Sequence, residues 1–335
     1  MTERLTWGNF ALELSFEWGV ELATRLVGVR TKGTVLVLGD GLPFAELITA
    51  DRGHTMASDR LVHTSIGDAL RHVSHATFAA DGWEHLVLKQ RDAASGLTVE
   101  IQLATPDGVP AVRSTVRVTN ESTTPVVLRS IASFAARLGA LPTGTPDFAA
   151  WQLISGESDW LGEGRWKTKS LRGHDFPVLA QQLTGHDPRG EHAVVSTGTW
   201  SSGKNLPVGA VVRRDVPLTW AWQIEHNGAW RWEVGEDSVD GYLALSGPTE
   251  GDHGFTQVLR TGDSFETVPV TFTVAADFTA AIGRLTEYRR AARRKHPDNA
   301  TLGVVFNDYM NTLDGDPTTE KLIPLIDAAA EVGCE

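Results

Sequence analysis

Leu302-Gly303-Val304-Val305-Phe306-Asn307-Asp308-Tyr309-Met310-Asn311-Thr312, with the segment that follows it, decides how this 335-residue chain is read. Leu302, Val304, Val305 and Phe306 make the short apolar run of a strand buried on both faces. Asn307 to Thr312 is then a polar turn at the carboxyl end of that strand. Asp316-Pro317 supplies an N-cap followed by proline at the first helical position. Leu322, Leu325, Ile326 and Ala329 fall on one face of a helix over 317–332. Strand, turn and helix together read as the opening βα unit of a β/α barrel. A parallel strand needs a parallel neighbour, which a right-handed crossover delivers directly after such a helix. The chain reaches Glu335 first, so the expectation is a barrel that begins and is truncated.

Upstream the apolar period is two. Leu97, Val99, Ile101 and Leu103 alternate with polar residues, and Pro106-Asp107-Gly108 breaks the run. Val112, Val116 and Val118 follow on one face, Asn120-Glu121-Ser122 turns again, and Val126 and Leu128 continue. Val268, Val270, Phe272 and Val274 repeat the pattern. Short strands separated by Gly, Pro, Asn and Asp turns predict a mainly β, antiparallel sandwich, larger than an immunoglobulin-like domain. The expected boundaries are 1–276 for the sandwich, 277–297 for a helical connection and 298–335 for the start of the barrel. Within the connection Ala281, Leu285, Tyr288 and Ala292 keep helical spacing. Arg289, Arg290, Arg293, Arg294 and Lys295 complement the carboxyl-terminal end of its dipole.

Trp220, Trp222 and Ile224 alternate before His226-Asn227-Gly228; Trp230, Trp232 and Val234 alternate after it. As a hairpin with a two-residue Asn-Gly loop, Trp222 would face Glu233 and the apolar sets would point to opposite faces. A three-residue loop with Gly228 left-handed pairs Trp222 with Trp232 and puts both sets on one face. Burial favours the second.

The formal net charge of −12 argues against a broad phosphate-binding surface for nucleic acid. No apolar run of about 18 residues marks a membrane span, and Met1 to Phe10 lacks the pattern of a secretory signal. Cys334 is the single cysteine, which excludes an internal disulfide and a cysteine zinc site. A cytoplasmic protein is expected. Eleven tryptophans against three tyrosines read either as filling between packed sheets or as platforms for stacking on sugar faces.

Motifs with chemistry are sparse. No glycine-rich nucleotide loop, His-Glu-x-x-His or Gly-x-Ser-x-Gly occurs. His72 and His75 stand three apart in a strand-like stretch, which puts them on opposite faces and argues against a shared metal ion. Asp59-Arg60 reads as an exposed binding pair or as a loop ion pair.

Several segments, in order, carry a resemblance. Ala57-Ser58-Asp59-Arg60 resembles the Gly-Asp-x-Arg loop of glycoside hydrolase family 36, whose commonest activity is α-galactosidase. Arg71-His72-Val73-Ser74-His75 resembles its Arg-Tyr-x-Ser-His strand, and Trp160-Leu161-Gly162-Glu163 and Gly262-Asp263-Ser264-Phe265-Glu266-Thr267-Val268-Pro269 also look familiar. Val304 to Thr312 resembles the strand and Asn-x-Trp turn that open the family's barrel, and Asp316 to Lys321 the start of its first barrel helix. Tyr309 stands where the family has tryptophan.

The resemblance implies an N-terminal β-supersandwich, a connecting helix and a (β/α)8 barrel of which only the first βα unit is present. It implies a retaining mechanism with two aspartates on later barrel strands, hence no catalytic residue here, no metal and no organic cofactor. Substrate contacts would come from Asp59 and Arg60, reaching a sugar across a subunit interface in a tetramer, and from Asn307, Asp308 and Tyr309. Terminal α-galactosides are the implied substrates, with α-N-acetylgalactosaminidase as another family activity. Two further readings stand beside the hydrolase: a noncatalytic carbohydrate-binding β-sandwich and an oligomerisation module.

Overall fold

The computed structural model describes residues 2–144, 147–174, 176, 188–309, 313 and 315–334. The chain divides into two compact units, 1–291 and 292–335.

The first unit is mainly β, with three antiparallel sheets among the described residues. Thr2–Asn9, Leu12–Gly19, Leu22–Thr31 and Thr34–Val37 form a four-stranded meander. A ten-stranded sheet runs from the edge strand Arg165–Ser170 through Trp151–Glu157, Asn205–Arg213, Thr219–Ile224, Val270–Ala275, Val112–Asn120, Leu97–Pro106 and Trp83–Asp92. It ends at the opposite edge strand, Arg71–Ala80, and Ser264–Glu266 joins it on Val112–Asn120. The six-stranded sheet orders Glu191–Ser196, Trp230–Glu236, Gly241–Ser246, Val126–Arg137 and Gln257–Leu259, with Leu47–Thr49 also on Val126–Arg137.

The period-two pattern explains the central strands. Leu97, Val99, Ile101 and Leu103 are buried, while Glu100 and Gln102 between them are half-exposed. The interior between the two larger sheets is aromatic. Phe134 of the six-stranded sheet stacks on Phe272 of the ten-stranded one at 4.1 Å between ring centroids, with Trp220 beside both. The indole N–H of Trp220 donates to the Leu138 carbonyl at 2.9 Å, which satisfies its one polar atom in the core.

The hairpin expected around Asn227-Gly228 is not formed. Thr219–Ile224 pairs with Asn205–Arg213 and Val270–Ala275, whereas Trp230–Glu236 pairs with Glu191–Ser196 and Gly241–Ser246. The connection therefore crosses from one sheet to the other, and Gly228 is not among the positive-φ glycines. Trp222 and Trp232 do meet, edge to face at 5.3 Å, but from opposing sheets. Two apolar faces closing on each other satisfied the same burial requirement that the hairpin register was chosen to meet.

Helix Phe278–Ala292 lies on the outer face of the ten-stranded sheet. Ala281 and Leu285 sit against Ala210, Ala221 and Ala275, whose small side chains let the helix approach closely. Tyr288 meets the edge of Trp83 at 5.8 Å, and the buried stripe ends there, since Ala292 is exposed. Among the described residues no helix is long and apolar enough to cross a membrane.

The second unit holds helices Asp298–Thr301 and Thr319–Glu331. The helix expected over 317–332 forms over Thr319–Glu331, two residues later than the Pro317 signal indicated, with Thr318 in the N-cap position. The strand expected over Leu302–Phe306 does not form; Leu302, Val304 and Val305 are 78%, 61% and 80% exposed. A parallel strand is held only by its neighbours, and among the described residues no strand pairs with this segment. Met310, Asn311 and Thr312 of the expected turn lie outside the described residues.

One face assignment is also reversed. In Arg71–Ala80, His72 lies opposite Gln90 and Ser74 opposite Lys89, so Val73 is an extra, unpaired residue. This β-bulge shifts the alternation by one and brings His72 and His75 onto a single face. The spacing rule that separated them holds only for a regular strand.

Candidate functional site

The loop that carries Asp59 and Arg60, residues 50–64, covers the outer face of the six-stranded sheet. Leu61 and Val62 pack there with Ala132, Ala135, Tyr242 and Ala244 in a small core separate from the main one. Beside this small apolar core stand buried polar side chains that hold the loop.

Four contacts do so. Glu233, fully buried, accepts the Leu61 backbone N–H at 2.7 Å and the Tyr242 hydroxyl at 3.0 Å on one oxygen. Its other oxygen accepts from Arg231 at 2.9 and 2.6 Å. Glu46 accepts the backbone N–H groups of His63 and Thr64 at 3.0 and 2.9 Å and the Thr64 hydroxyl at 2.5 Å. Burial pushes the Glu46 carboxyl up to about 7 against the lowering effect of the Thr64 hydrogen bonds. Thr64 in turn N-caps the short helix Ser65–Ala69, accepting from the Gly67 N–H at 3.0 Å. A Cβ at Gly67 would stand 2.5 Å from a Glu46 oxygen, so only glycine fits there. The third contact is His63 Nε2, which donates to Asp237 at 2.9 Å. Burial works to raise the Asp237 carboxyl, but the His63 hydrogen bond and the Arg137 guanidinium hold it well below the usual range.

Arg60 is the fourth. Its guanidinium donates to the carbonyls of Pro188 and Glu236 at 3.0 and 2.7 Å and to the Ser58 hydroxyl at 3.1 Å, and it lies over the Tyr242 ring. Arg60 is 0% exposed. The expectation of two accessible side chains is therefore corrected: Arg60 is an internal anchor, because its planar fork matches the carbonyls of Pro188 and Glu236. Asp59, one residue earlier, is exposed.

Beneath Asp59 lies a charged cluster that was not legible as a motif. Arg231 bridges Glu233, Glu191 at 2.5 Å and Asp252 at 2.9 Å. Burial, then the charge of Glu233, pushes the Glu191 carboxyl up to about 7, with a further contribution from Asp59. Glu191 and Glu233 are both locked on one guanidinium, which leaves neither free to attack an anomeric carbon or protonate a leaving group. The one sequence signal was the alternation Trp230-Arg231-Trp232-Glu233: charges on one face, indoles on the other.

Asn307, Asp308 and Tyr309 belong to the second unit. The Asn307 side chain accepts the Tyr309 N–H at 2.8 Å, fixing a local turn, and Tyr309 is 58% exposed. With no strand over 302–306, Tyr309 does not stand at a strand's carboxyl end. Of the tryptophans, Trp151, Trp220, Trp222, Trp230 and Trp232 are fully buried packing elements, while Trp160, Trp166 and Trp200 are exposed. Among the described residues no group of three or more His, Cys, Asp or Glu is placed to hold a metal ion.

No protein-family model and no curated protein matches the chain. Solved structures do. A variant of the family 36 α-galactosidase AgaA from Geobacillus stearothermophilus, in complex with 1-deoxygalactonojirimycin, aligns with a TM-score of 0.73 at 14% identity, over 99% of this chain and 49% of its own. A further AgaA variant in complex with raffinose aligns at 0.71 and 14% identity, over 99% and 49%. The α-galactosidase from Lactobacillus brevis aligns at 0.72 and 13% identity, over 99% and 47%. The chain thus spans about half the length of the structures it matches. At this identity the likeness is one of fold, and the fold is that of the N-terminal portion of the glycoside hydrolase family 36 α-galactosidases.

Proposed function

We propose that the chain is the N-terminal part of a retaining glycoside hydrolase of family 36 that acts on terminal α-galactosides. The observation that carries this reading is Asp59: an exposed carboxylate at the tip of a loop whose main chain is bonded at 61, 63 and 64 to buried carboxylates. Such a group meets a sugar hydroxyl with little ordering left to do on binding. In the enzyme carrying the catalytic barrel, Asp59 contributes to the galactose site of a neighbouring subunit in a tetramer, and Asn307, Asp308 and Tyr309 line the barrel mouth. The protein is cytoplasmic and needs no cofactor for this reaction.

The chemistry requires one carboxylate to attack C1 and a second to protonate the leaving oxygen, roughly 5–5.5 Å apart. The family places both on later barrel strands, and in the β unit Glu46, Glu233 and Asp237 are committed to loop contacts and Glu191 to Arg231. None of the 335 residues is therefore proposed as catalytic. Purified 1–335 is expected to hydrolyse an aryl α-galactoside no faster than a protein-free control. Clear turnover would show that carboxylates within the β unit do the work. In the barrel-containing enzyme Asp59→Asn raises KM for the same substrate about tenfold, the scale of one lost charged hydrogen bond; an unchanged KM would remove Asp59 from the site.

Trp160, Trp166 and Trp200 favour a second reading, a carbohydrate-binding module, because exposed indoles offer flat apolar surface to a sugar ring. Quenching of tryptophan fluorescence by raffinose on 1–335, lost in Trp160→Ala or Trp200→Ala but kept in Asp59→Asn, would support it over the first.

A further inference from the structure

The β-bulge at Val73 does more than reverse a face. It brings His75 Nδ1 to 3.3 Å from His72 Nε2, with the two rings 5.4 Å apart. Trp18, from the four-stranded sheet, stacks on His72 at 4.1 Å and leans on His75 at 5.5 Å. Glu3 lies opposite Trp18 on the edge strand Thr2–Asn9, so both side chains leave the same face of that sheet. Glu3, Trp18, His72, Ser74 and His75 line one open pocket.

Two nitrogens bound to one tetrahedral ion at about 2.0–2.1 Å each stand about 3.3–3.4 Å apart. The pair already has that separation. His75 is exposed, so its ring turns freely toward a shared ion, whereas His72 is clamped by Trp18. With Nε2 as the ligand the neutral His72 ring carries its proton on Nδ1, which is buried without a hydrogen-bond partner, so binding of the ion has to offset one unsatisfied N–H. Glu3 adds a negative charge that acts on His72.

We propose that His72 Nε2 and His75 Nδ1 form a binding site for a borderline divalent transition-metal ion such as Zn2+, with water in the remaining positions and Glu3 supplying charge from the facing sheet. Imidazole nitrogens select zinc, copper or nickel over magnesium or calcium. An ion held there joins two side chains of the exposed edge strand Arg71–Ala80 and faces the charge of Glu3 on the four-stranded sheet. It binds the folded chain only, so it raises the melting temperature.

The test is calorimetric titration of ZnCl2 into chelator-treated 1–335, with melting curves in parallel. One ion per chain and a rise in Tm are expected. His72→Phe, which keeps a ring on Trp18, and His75→Gln, at an exposed position, each lower the affinity about tenfold or more and abolish the rise. His192→Phe, in the separate close pair with His174, leaves both unchanged. MgCl2 produces neither effect. Absence of a stoichiometric site in the parent chain would overturn the proposal, and so would a site that survives both His72→Phe and His75→Gln. Should His72→Phe fail to fold, His75→Gln alone decides.

Discussion

The carboxylate of Asp59 stands in water while the guanidinium of Arg60, the next residue, is completely enclosed. A single peptide unit therefore separates an exposed charge from the buried group that holds its loop in place. Arg60→Ala removes the donor for two carbonyls and a hydroxyl and leaves a cavity, at a cost on the order of 2–4 kcal/mol. Asp59→Ala touches neither and changes stability by no more than about 0.5 kcal/mol. Urea unfolding of the two variants is the measurement, and equal effects would dismiss the anchor.

Stability is expected to be greatest at mildly acidic pH. Glu46 and Asp240 are held up at about 7 chiefly by burial, against ordinary values of 4.5 and 3.8. Between those limits the folded state binds more protons than the unfolded one, so stability falls as pH rises and levels off above 7. Asp237 acts in the opposite sense: its depressed carboxyl contributes above about pH 4, and that contribution is lost on further acidification. The unfolding free energy should drop by an amount on the order of 5 kcal/mol from pH 5 to pH 7.5. A flat or rising curve over that interval would contradict the burial of ionisable carboxyls as the cause.

The edge-to-face contact of Trp222 and Trp232 predicts a measurable coupling between the two main sheets. Each replacement by Ala costs about 3–5 kcal/mol. The double variant falls short of the sum by about 0.5–1.5 kcal/mol, the contribution of an aromatic pair beyond area burial. Additive losses would mean that the rings pack independently.

Amide exchange separates the two units. Val304, Val305 and Phe306 are expected to exchange at close to unprotected rates, whereas Leu97–Pro106, paired on both sides, exchanges only on global unfolding. Strong protection at 304–306 would mean that the segment has found a partner strand, such as a second copy of the chain.

The alternation from Leu97 to Val118 was enough to predict a large antiparallel sandwich, because period-two burial is imposed residue by residue. Partner choice was not legible. Whether Trp230–Glu236 pairs back on Thr219–Ile224 or crosses to the other sheet is decided by contacts between residues more than a hundred positions apart, such as Phe134 against Phe272. His72 and His75 were misassigned because one unpaired residue leaves no mark in composition. At the candidate site the motif pointed to Asp59-Arg60 but not to the division of labour between them. That depends on Glu46, Glu233 and Asp237, acids separated widely in sequence and unremarkable in isolation. The barrel strand was read from its own residues, yet its formation depends on neighbours that supply its hydrogen bonds.

Beside the side-chain anchors Arg60 and His63, the loop over the six-stranded sheet is gripped by its main chain. Glu233 holds an amide of Leu61, Glu46 holds those of His63 and Thr64, and the Arg60 carbonyl meets a histidine ring. None of these contacts specifies which side chains stand at 55, 57 and 59, and all three positions are exposed. The tip is thus a replaceable lettering on a permanent mount. Changes there leave the gripping contacts and the fold in place, so the chemistry that the tip presents to solvent can diverge at little cost in stability.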